Sequence, residues 1–129
     1  MTAEEKLKLF TTIREAVGPE IFLVANTGSN NTQQSVAFTK EAEKTGVNAC
    51  MAVVPYYNKP TQEGCYQHFA AIAKSTSLPI ILYNVPGRTA SQVTPETIAR
   101  LANEFSNIVA VKEASGNLNQ VSEIARLCP

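Results

Sequence analysis

Four short apolar segments of β type recur along the chain at nearly equal spacing. They begin at Ile21, Ala49, Pro79 and Ile108, so that successive starts lie 28, 30 and 29 residues apart. Each segment is almost continuously apolar, which is the pattern of parallel strands covered on both faces. Because each interval is long enough for a crossover helix, the sequence predicts a parallel α/β fold.

Helical signals fill the intervals between these segments. A capping box of Thr2 and Glu5 opens the first helix, and Thr94 followed by Pro95 opens a later one. Further helices are predicted over 33–44, over 118–127 and from Thr61, where another polar start led by threonine resembles a cap. This order suits either an open doubly wound sheet or part of a (βα)8 barrel. A complete barrel needs about 250 residues, so periodicity alone favours the open sheet for 129 residues.

Composition excludes several classes of partner. Eleven basic and eleven acidic side chains cancel, so no charge imbalance indicates binding to nucleic acid or to a membrane surface. No apolar run is long enough to span a bilayer, and the N-terminus shows no signal-peptide pattern. The three cysteines have no metal-ligand spacing, which predicts reduced thiols in a cytoplasmic protein and no metal site. Cys65 and His68 fall in a predicted helix, where packing is their expected role.

Polar residues follow each predicted strand, over 26–30, 55–58, 83–88 and 112–117. The carboxyl ends of parallel strands form the edge at which α/β proteins bind ligands and perform chemistry. The first of these loops is rich in glycine and asparagine but matches no complete phosphate-binding fingerprint. A plain strand–helix turn is therefore its favoured interpretation.

Lys112 is the residue hardest to reconcile with a structural role. Alternation with period two places it on one face of its strand with Ile108 and Ala110, and places Glu113 on the other face. Burial of an ammonium group is costly, so a lysine in a buried strand is expected to supply a neutral amine, the form that attacks ketones. The alternatives are that Lys112 extends to the rim or pairs with Glu113.

Tyr83 and Arg88 extend this hypothesis. A phenol can pass protons during imine formation, and a guanidinium binds a carboxylate through two hydrogen bonds. With Lys112, these two side chains indicate Schiff-base chemistry on a keto acid. The structural alternatives are that Arg88 is a solvated loop residue and that Tyr56 and Tyr57 are packing residues.

Two separated motifs resemble a known family. YNVPGRT at 83–89 and IVAVKEA at 108–114 are similar to the signature of the dihydrodipicolinate synthase/N-acetylneuraminate lyase family of pyruvate-dependent class I aldolases. TGSNNT at 27–32 and PYYNKPTQEGCYQHF at 55–69 extend the likeness through most of the chain. The family is built as a (βα)8 barrel. The resemblance therefore replaces the open sheet with one partial barrel domain over 1–129, whose strands would be the third to sixth.

The resemblance also implies roles for individual residues. Lys112 would form the Schiff base with pyruvate, Tyr83 would be the acid/base, and Tyr57 would reach across a dimer interface to complete a proton relay. Arg88 would hold the carboxylate of L-aspartate 4-semialdehyde. The loop behind the lysine would be lined by Gly116 and Asn117.

The implied reaction is the condensation of pyruvate with L-aspartate 4-semialdehyde to 4-hydroxy-tetrahydrodipicolinate, in lysine biosynthesis. It requires no metal and no cofactor besides the covalent pyruvate, and the implied assembly is a homo-oligomer. Asn30, Gln34 and Tyr56 indicate half of a lysine-effector site, because Gln34 stands where lysine-inhibited members often carry glutamate.

Two alternatives stay open. Sialate lyases carry a small or apolar residue at the position of Arg88, so a sialate-lyase-type aldolase is less favoured than the synthase. A non-catalytic half-barrel that serves as an association module is the other alternative. The pyruvate-gripping Gly-Thr-Thr loop and the last two strands of the family are not in this sequence, and a part-barrel would expose two sheet edges and an apolar interior.

Overall fold

Six helices and four strands lie along residues 1–128, the part of the chain that the computed structural model describes. In chain order they are α1 Ala3–Val17, β1 Val24–Asn26, α2 Thr32–Glu43, β2 Ala49–Val53, α3 Gln62–Ala73, β3 Ile80–Asn84, α4 Pro86–Thr89, α5 Pro95–Glu104, β4 Ile108–Glu113 and α6 Leu118–Leu127. The strands form one parallel sheet in the order β1-β2-β3-β4. Strand order that follows chain order is that of a barrel segment, whereas a doubly wound sheet reverses order. The open sheet favoured by periodicity alone is therefore wrong.

Side-chain caps fix the starts of the helices. Thr2 and Glu5 form both hydrogen bonds of the predicted capping box, at 3.2 and 2.7 Å. Thr61 and Thr94 cap α3 and α5 as predicted, each accepting a hydrogen bond from a first-turn amide. Each side chain satisfies an amide that the helix itself leaves without a partner. The short helix α4 was not predicted, because its four residues are too few for a periodic pattern.

The first helix packs loosely. Leu7 and Phe10 are half-buried, Ile13 and Val17 are exposed, and α1 contains no fully buried residue. Phe10 meets Phe38 of α2 with ring centroids 6.1 Å apart. Within residues 1–128, no helix has the length and apolar character needed to cross a membrane.

The strand that was predicted to begin at Ile21 begins at Val24, because the Arg14 side chain forms hydrogen bonds with the segment before it. Its guanidinium donates hydrogen bonds to the carbonyl oxygens of Gly18, Ile21 and Gly46, at 2.6, 3.0 and 2.8 Å. The carbonyl of Ile21 therefore bonds to a side chain rather than to a neighbouring strand. The Ile21 side chain is 52% exposed.

One face of the sheet packs against helices and holds the core. Along β3, Ile80, Leu82 and Asn84 point to this covered face and are fully buried, while Ile81 and Tyr83 between them are half-buried. The largest apolar side chains that are completely buried are Val54, Phe69, Ile72, Ile80, Leu82, Val93 and Leu101. Apolar burial on this face supplies the main stabilisation of the fold.

The other face, called the open face below, remains accessible. Cα partners across the strands share a face, and one such row joins Met51, Ile81 and Ala110 while another joins Tyr83 and Lys112. Of these, Ala110 and Lys112 are exposed and the others are half-buried. The expectation that the strands are covered on both faces is therefore wrong for the edge strands β1 and β4, whereas four of the five residues of β2 are buried.

A β-bulge in β4 changes which side chains share a face. Ile80 pairs with Ile108, but Ile81 pairs with Ala110, so Val109 is an extra residue. Such an extra residue reverses the alternation that follows it. Ile108 accordingly points into the core, whereas Lys112 lies on the open face. The prediction that Ile108 and Lys112 share a face is wrong for this reason.

Candidate active site at the carboxyl ends of the strands

Lys112 and Tyr83 are brought together by strand pairing. They are Cα partners on β4 and β3, and both side chains lie on the open face. The Lys112 Nζ lies 4.0 Å from the centroid of the Tyr83 ring. A cation over an aromatic face is attracted by the ring quadrupole, so this contact orients the amine.

The sequence predicted a buried amine at Lys112, but the structure exposes this side chain. Lys112 is exposed and Tyr83 is half-buried. The lysine lies on the edge strand of the sheet and on the face that the helix layer does not cover. The desolvation expected from a buried strand is therefore missing in residues 1–128, and the prediction of a dry amine is wrong here.

The opposite side of the same two strands carries a hydrogen-bonded network that the sequence did not reveal. Glu113 accepts hydrogen bonds from Asn84 Nδ2 at 2.8 Å, from Ser115 N at 2.8 Å and from Gln120 Nε2 at 2.9 Å. Burial alone would raise the pKa of Glu113, but these hydrogen bonds outweigh burial and hold its pKa below the ordinary value. We call Glu113, Asn84, Ser115 and Gln120 the carboxylate anchor.

A backbone hydrogen bond, rather than a contact of the two side chains, joins the segment of Tyr57 to the segment of Arg88. Arg88 is exposed on α4, and the amide of Tyr57 donates a hydrogen bond to the carbonyl of Thr89 at 3.2 Å. Tyr57 has a φ of 70° and an 86% exposed side chain. Within residues 1–128, no hydrogen bond joins the Tyr57 side chain to Tyr83 or Lys112.

Gly116 and Asn117 connect β4 to α6. Gly116 has a φ of 74°, a conformation that favours glycine, and Asn117 is the N-cap of α6. The Asn117 side chain accepts hydrogen bonds from the amides of Asn119 and Gln120 at 3.0 and 3.4 Å. Both residues therefore shape the loop that follows Lys112.

The three residues of the predicted effector site are spread over two loops and a helix. The Asn30 carbonyl accepts a hydrogen bond at 2.8 Å from Asn58 Nδ2, in the loop that follows β2. Gln34 is exposed and lines a cleft between α1 and α2, and Tyr56 is 41% exposed. No hydrogen bond joins Asn30, Gln34 and Tyr56 to one another in the described part of the chain. Residues 1–128 also contain no group of three metal-ligating side chains.

Comparison with known sequences decides the family. The sequence profile of the Dihydrodipicolinate synthetase family matches residues 1–129. The chain belongs to this family. It is 56% identical over 129 residues to the 4-hydroxy-tetrahydrodipicolinate synthase of Desulforudis audaxviator (strain MP104C), in a match that covers 100% of this chain and 44% of the relative. The chain thus spans less than half the length of this curated relative.

Solved structures of family members are similar to this chain throughout. The dihydrodipicolinate synthase of Cyanidioschyzon merolae, solved with lysine bound, matches with a TM-score of 0.97 and 44% identity over 100% of this chain and 44% of its own. The chloride-inhibited enzyme of Acinetobacter baumannii, complexed with pyruvate, matches with a TM-score of 0.93 and 43% identity over 98% of this chain and 44% of its own. The predicted fold, four βα units of a (βα)8 barrel, is confirmed.

Proposed function

We propose that this chain performs the chemistry of a 4-hydroxy-tetrahydrodipicolinate synthase, the condensation of pyruvate with L-aspartate 4-semialdehyde, in the cytoplasm. The observation that carries the proposal is the Lys112 amine, 4.0 Å from the centre of the Tyr83 ring on a directly paired strand. A primary amine beside a phenol on rigid strands is the minimal apparatus for forming and protonating an imine.

The reaction begins at Lys112. The Lys112 amine, after it loses its proton, attacks the ketone carbon of pyruvate, and the resulting carbinolamine loses water to give an imine. Tyr83 passes the protons that this dehydration needs, and removal of a methyl proton converts the imine into an enamine. The enamine carbon attacks the aldehyde of the second substrate, and transimination frees the cyclised product and regenerates the amine. No metal or organic cofactor takes part in this scheme.

Three other residues serve binding and assembly in this proposal. Arg88 binds the carboxylate of the aldehyde substrate, because its exposed guanidinium can donate two parallel hydrogen bonds to one carboxylate. Gly116 and Asn117 shape the loop behind the amine. Tyr57 belongs to a homo-oligomeric site in our proposal, and its 86% exposed side chain is free to reach a second copy.

A lysine-effector site at Asn30, Gln34 and Tyr56 is also part of the proposal. The relative from Cyanidioschyzon merolae was solved with lysine bound, and in this chain the Asn30 carbonyl is hydrogen-bonded to Asn58, in the loop that carries Tyr56. Lysine binding is measurable by isothermal titration calorimetry. We expect binding that is weakened by substitution of Tyr56 with alanine.

A comparative assay tests the proposed reaction. The purified chain is given pyruvate with L-aspartate 4-semialdehyde in one experiment and N-acetylneuraminate in another, with Tyr83→Phe as the matched variant. We expect product only from the first pair, and less of it from Tyr83→Phe. Cleavage of N-acetylneuraminate would instead support a sialate-lyase-type aldolase. Inactivity towards both, with an intact fold, would support a non-catalytic half-barrel.

A further inference from the structure

The carboxylate anchor lies directly behind the proposed reacting pair. Asn84 and Glu113 are Cα partners, one residue beyond the pair formed by Tyr83 and Lys112. Because successive residues of a strand point to opposite faces, the anchor joins β3 to β4 on the covered face. Asn84 is fully buried and Gln120 is 6% exposed.

The anchor fixes more than the two strand ends. Asn84 Oδ1 accepts a hydrogen bond from the amide of Val93, and Gln120 Nε2 also donates to the carbonyl of Val93. Gln120 lies in α6, so the carboxylate anchor as a whole connects β3, β4, the loop before α5 and the helix that follows Lys112. The backbone ladder continues beside it, where the amide of Ala114 donates to the carbonyl of Asn84 at 2.8 Å.

We propose that Glu113, Asn84 and Gln120 are positioning residues that hold the Lys112 amine over the Tyr83 ring by locking the ends of β3 and β4 from behind. This inference rests on the proposed function for its catalytic consequence. Its geometric content, the placement of the amine over the ring, is independent of any substrate.

The network requires a residue that only accepts hydrogen bonds. Three donors converge on the two Glu113 oxygens. Glu113→Gln replaces one acceptor oxygen with a donor NH2 group, which then faces the donors of Asn84 and Gln120. Asn84 cannot resolve the conflict by rotating its amide, because its oxygen accepts from Val93. An isosteric change at position 113 is therefore expected to open the anchor.

Exchanging the two partners restores the complementarity between positions 84 and 113, and Gln120 Nε2 alone loses its acceptor at position 113. Asn84→Asp alone places two carboxylates against each other, whereas in Asn84→Asp with Glu113→Gln the new amide donates to the new carboxylate. The carboxylate introduced at position 84 still accepts from the amide of Val93. The amide oxygen introduced at position 113 still accepts from the amide of Ser115, while Gln120 keeps its bond to the Val93 carbonyl. The double variant therefore keeps the net charge of the parent, which each single variant changes by one.

Two readouts separate positioning from general stability. The first is the NMR ring-current shift of the Lys112 ε-methylene protons, which reports the distance to the Tyr83 ring without substrate. The second is the rate constant at saturating pyruvate for the adduct trapped by borohydride, corrected for the folded fraction. Glu123→Gln is the matched control, because it makes the same substitution in α6, where Glu123 pairs with Arg126.

We expect each single variant to lose most of the ring-current shift and to slow adduct formation about tenfold or more, since small displacements of reacting groups cost large factors in rate. The double variant should recover both signals to within about threefold of the parent rate, and Glu123→Gln should change neither. Folded single variants with unchanged shift and rate would overturn the proposal. So would a double variant that recovers neither signal. A parent chain that shows the shift but forms no adduct would overturn the proposed function and leave the positioning role standing.

Discussion

The two faces of the sheet differ in role, because one holds the core and the other carries the candidate site. Leu82 on the covered face is fully buried, whereas its neighbour Tyr83 on the open face is half-buried and contacts Lys112. A single step along the strand therefore separates a core residue from a residue of the candidate site. Stability and chemistry can therefore be altered independently at adjacent positions.

The largest expected effect comes from substituting these two neighbours. Leu82→Ala leaves a cavity in the core and should lower the free energy of unfolding by about 2–5 kcal/mol. Tyr83→Phe removes only the hydroxyl of a half-buried side chain and should change the free energy of unfolding by less than about 1 kcal/mol, while it slows adduct formation with pyruvate. Urea denaturation and a trapping time course measure the two effects. Equal stability losses for both variants would contradict the division between faces.

Acid should weaken the helix layer of the covered side through His68. This residue is 3% exposed and its Nδ1 lies 2.9 Å from the Thr32 hydroxyl, and burial lowers the pKa of His68 from 6.5 to about 4. The folded state thus resists protonation that the unfolded state accepts. Stability from this source is complete above about pH 6.5 and falls as pH decreases towards 4, by about 3 kcal/mol.

His68→Asn provides the control for this prediction, because asparagine does not titrate and can still bond to Thr32. Urea denaturation between pH 4 and pH 7.5 should show a steeper loss in the parent than in His68→Asn. Parallel curves for the two proteins would show that His68 is not held neutral by the helix layer.

A smaller effect is expected at Asn117, which lies in the loop between β4 and α6. Asn117→Ala removes the cap of α6 and should lower the free energy of unfolding by about 1 kcal/mol, whereas Asn117→Asp keeps an acceptor and should cost less. Thermal unfolding measures both. A stability loss confined to Asn117→Ala indicates capping, whereas a loss of pyruvate binding in both variants would indicate a role in the site.

The smallest effect on stability is expected at Arg88, whose exposed side chain lies outside the core. Arg88→Ala and Arg88→Lys should each change the free energy of unfolding by no more than about 0.5 kcal/mol. In the condensation assay, Arg88→Ala should raise the KM for the aldehyde substrate about tenfold or more, and Arg88→Lys should recover only part of it, because lysine lacks the planar fork. A KM that is unchanged in Arg88→Ala would remove Arg88 from the proposed site.

Local signals predicted the elements well. The caps at Thr2, Thr61 and Thr94 are confirmed, and β2 and β3 lie within a residue or two of the predicted segments. Such features depend on neighbours in the sequence, so sequence patterns report them. The start of β1 was wrong because it depends on Arg14, whose bond partners include Gly46, 32 residues away.

The environment of the candidate site was less predictable, because it also depends on contacts between residues far apart in the sequence. The bulge at Val109 arises from the pairing of β3 with β4, and period-two alternation contains no sign of it. Exposure of Lys112 depends on what covers the open face, which an apolar strand pattern cannot report. The sequence did contain one signal for the carboxylate anchor. Alternation placed Glu113 on the face opposite Lys112, and a carboxylate on a covered face requires donors.

Trapping of the pyruvate adduct tests the central claim most directly. The chain is incubated with pyruvate, reduced with borohydride, digested and mapped by mass spectrometry, because it contains seven lysines and the position of the adduct must be found. The account predicts a reduced pyruvyl group on Lys112 alone, absent from Lys112→Arg and formed more slowly in Tyr83→Phe. An adduct spread over several lysines, or no adduct in a folded chain, would contradict it.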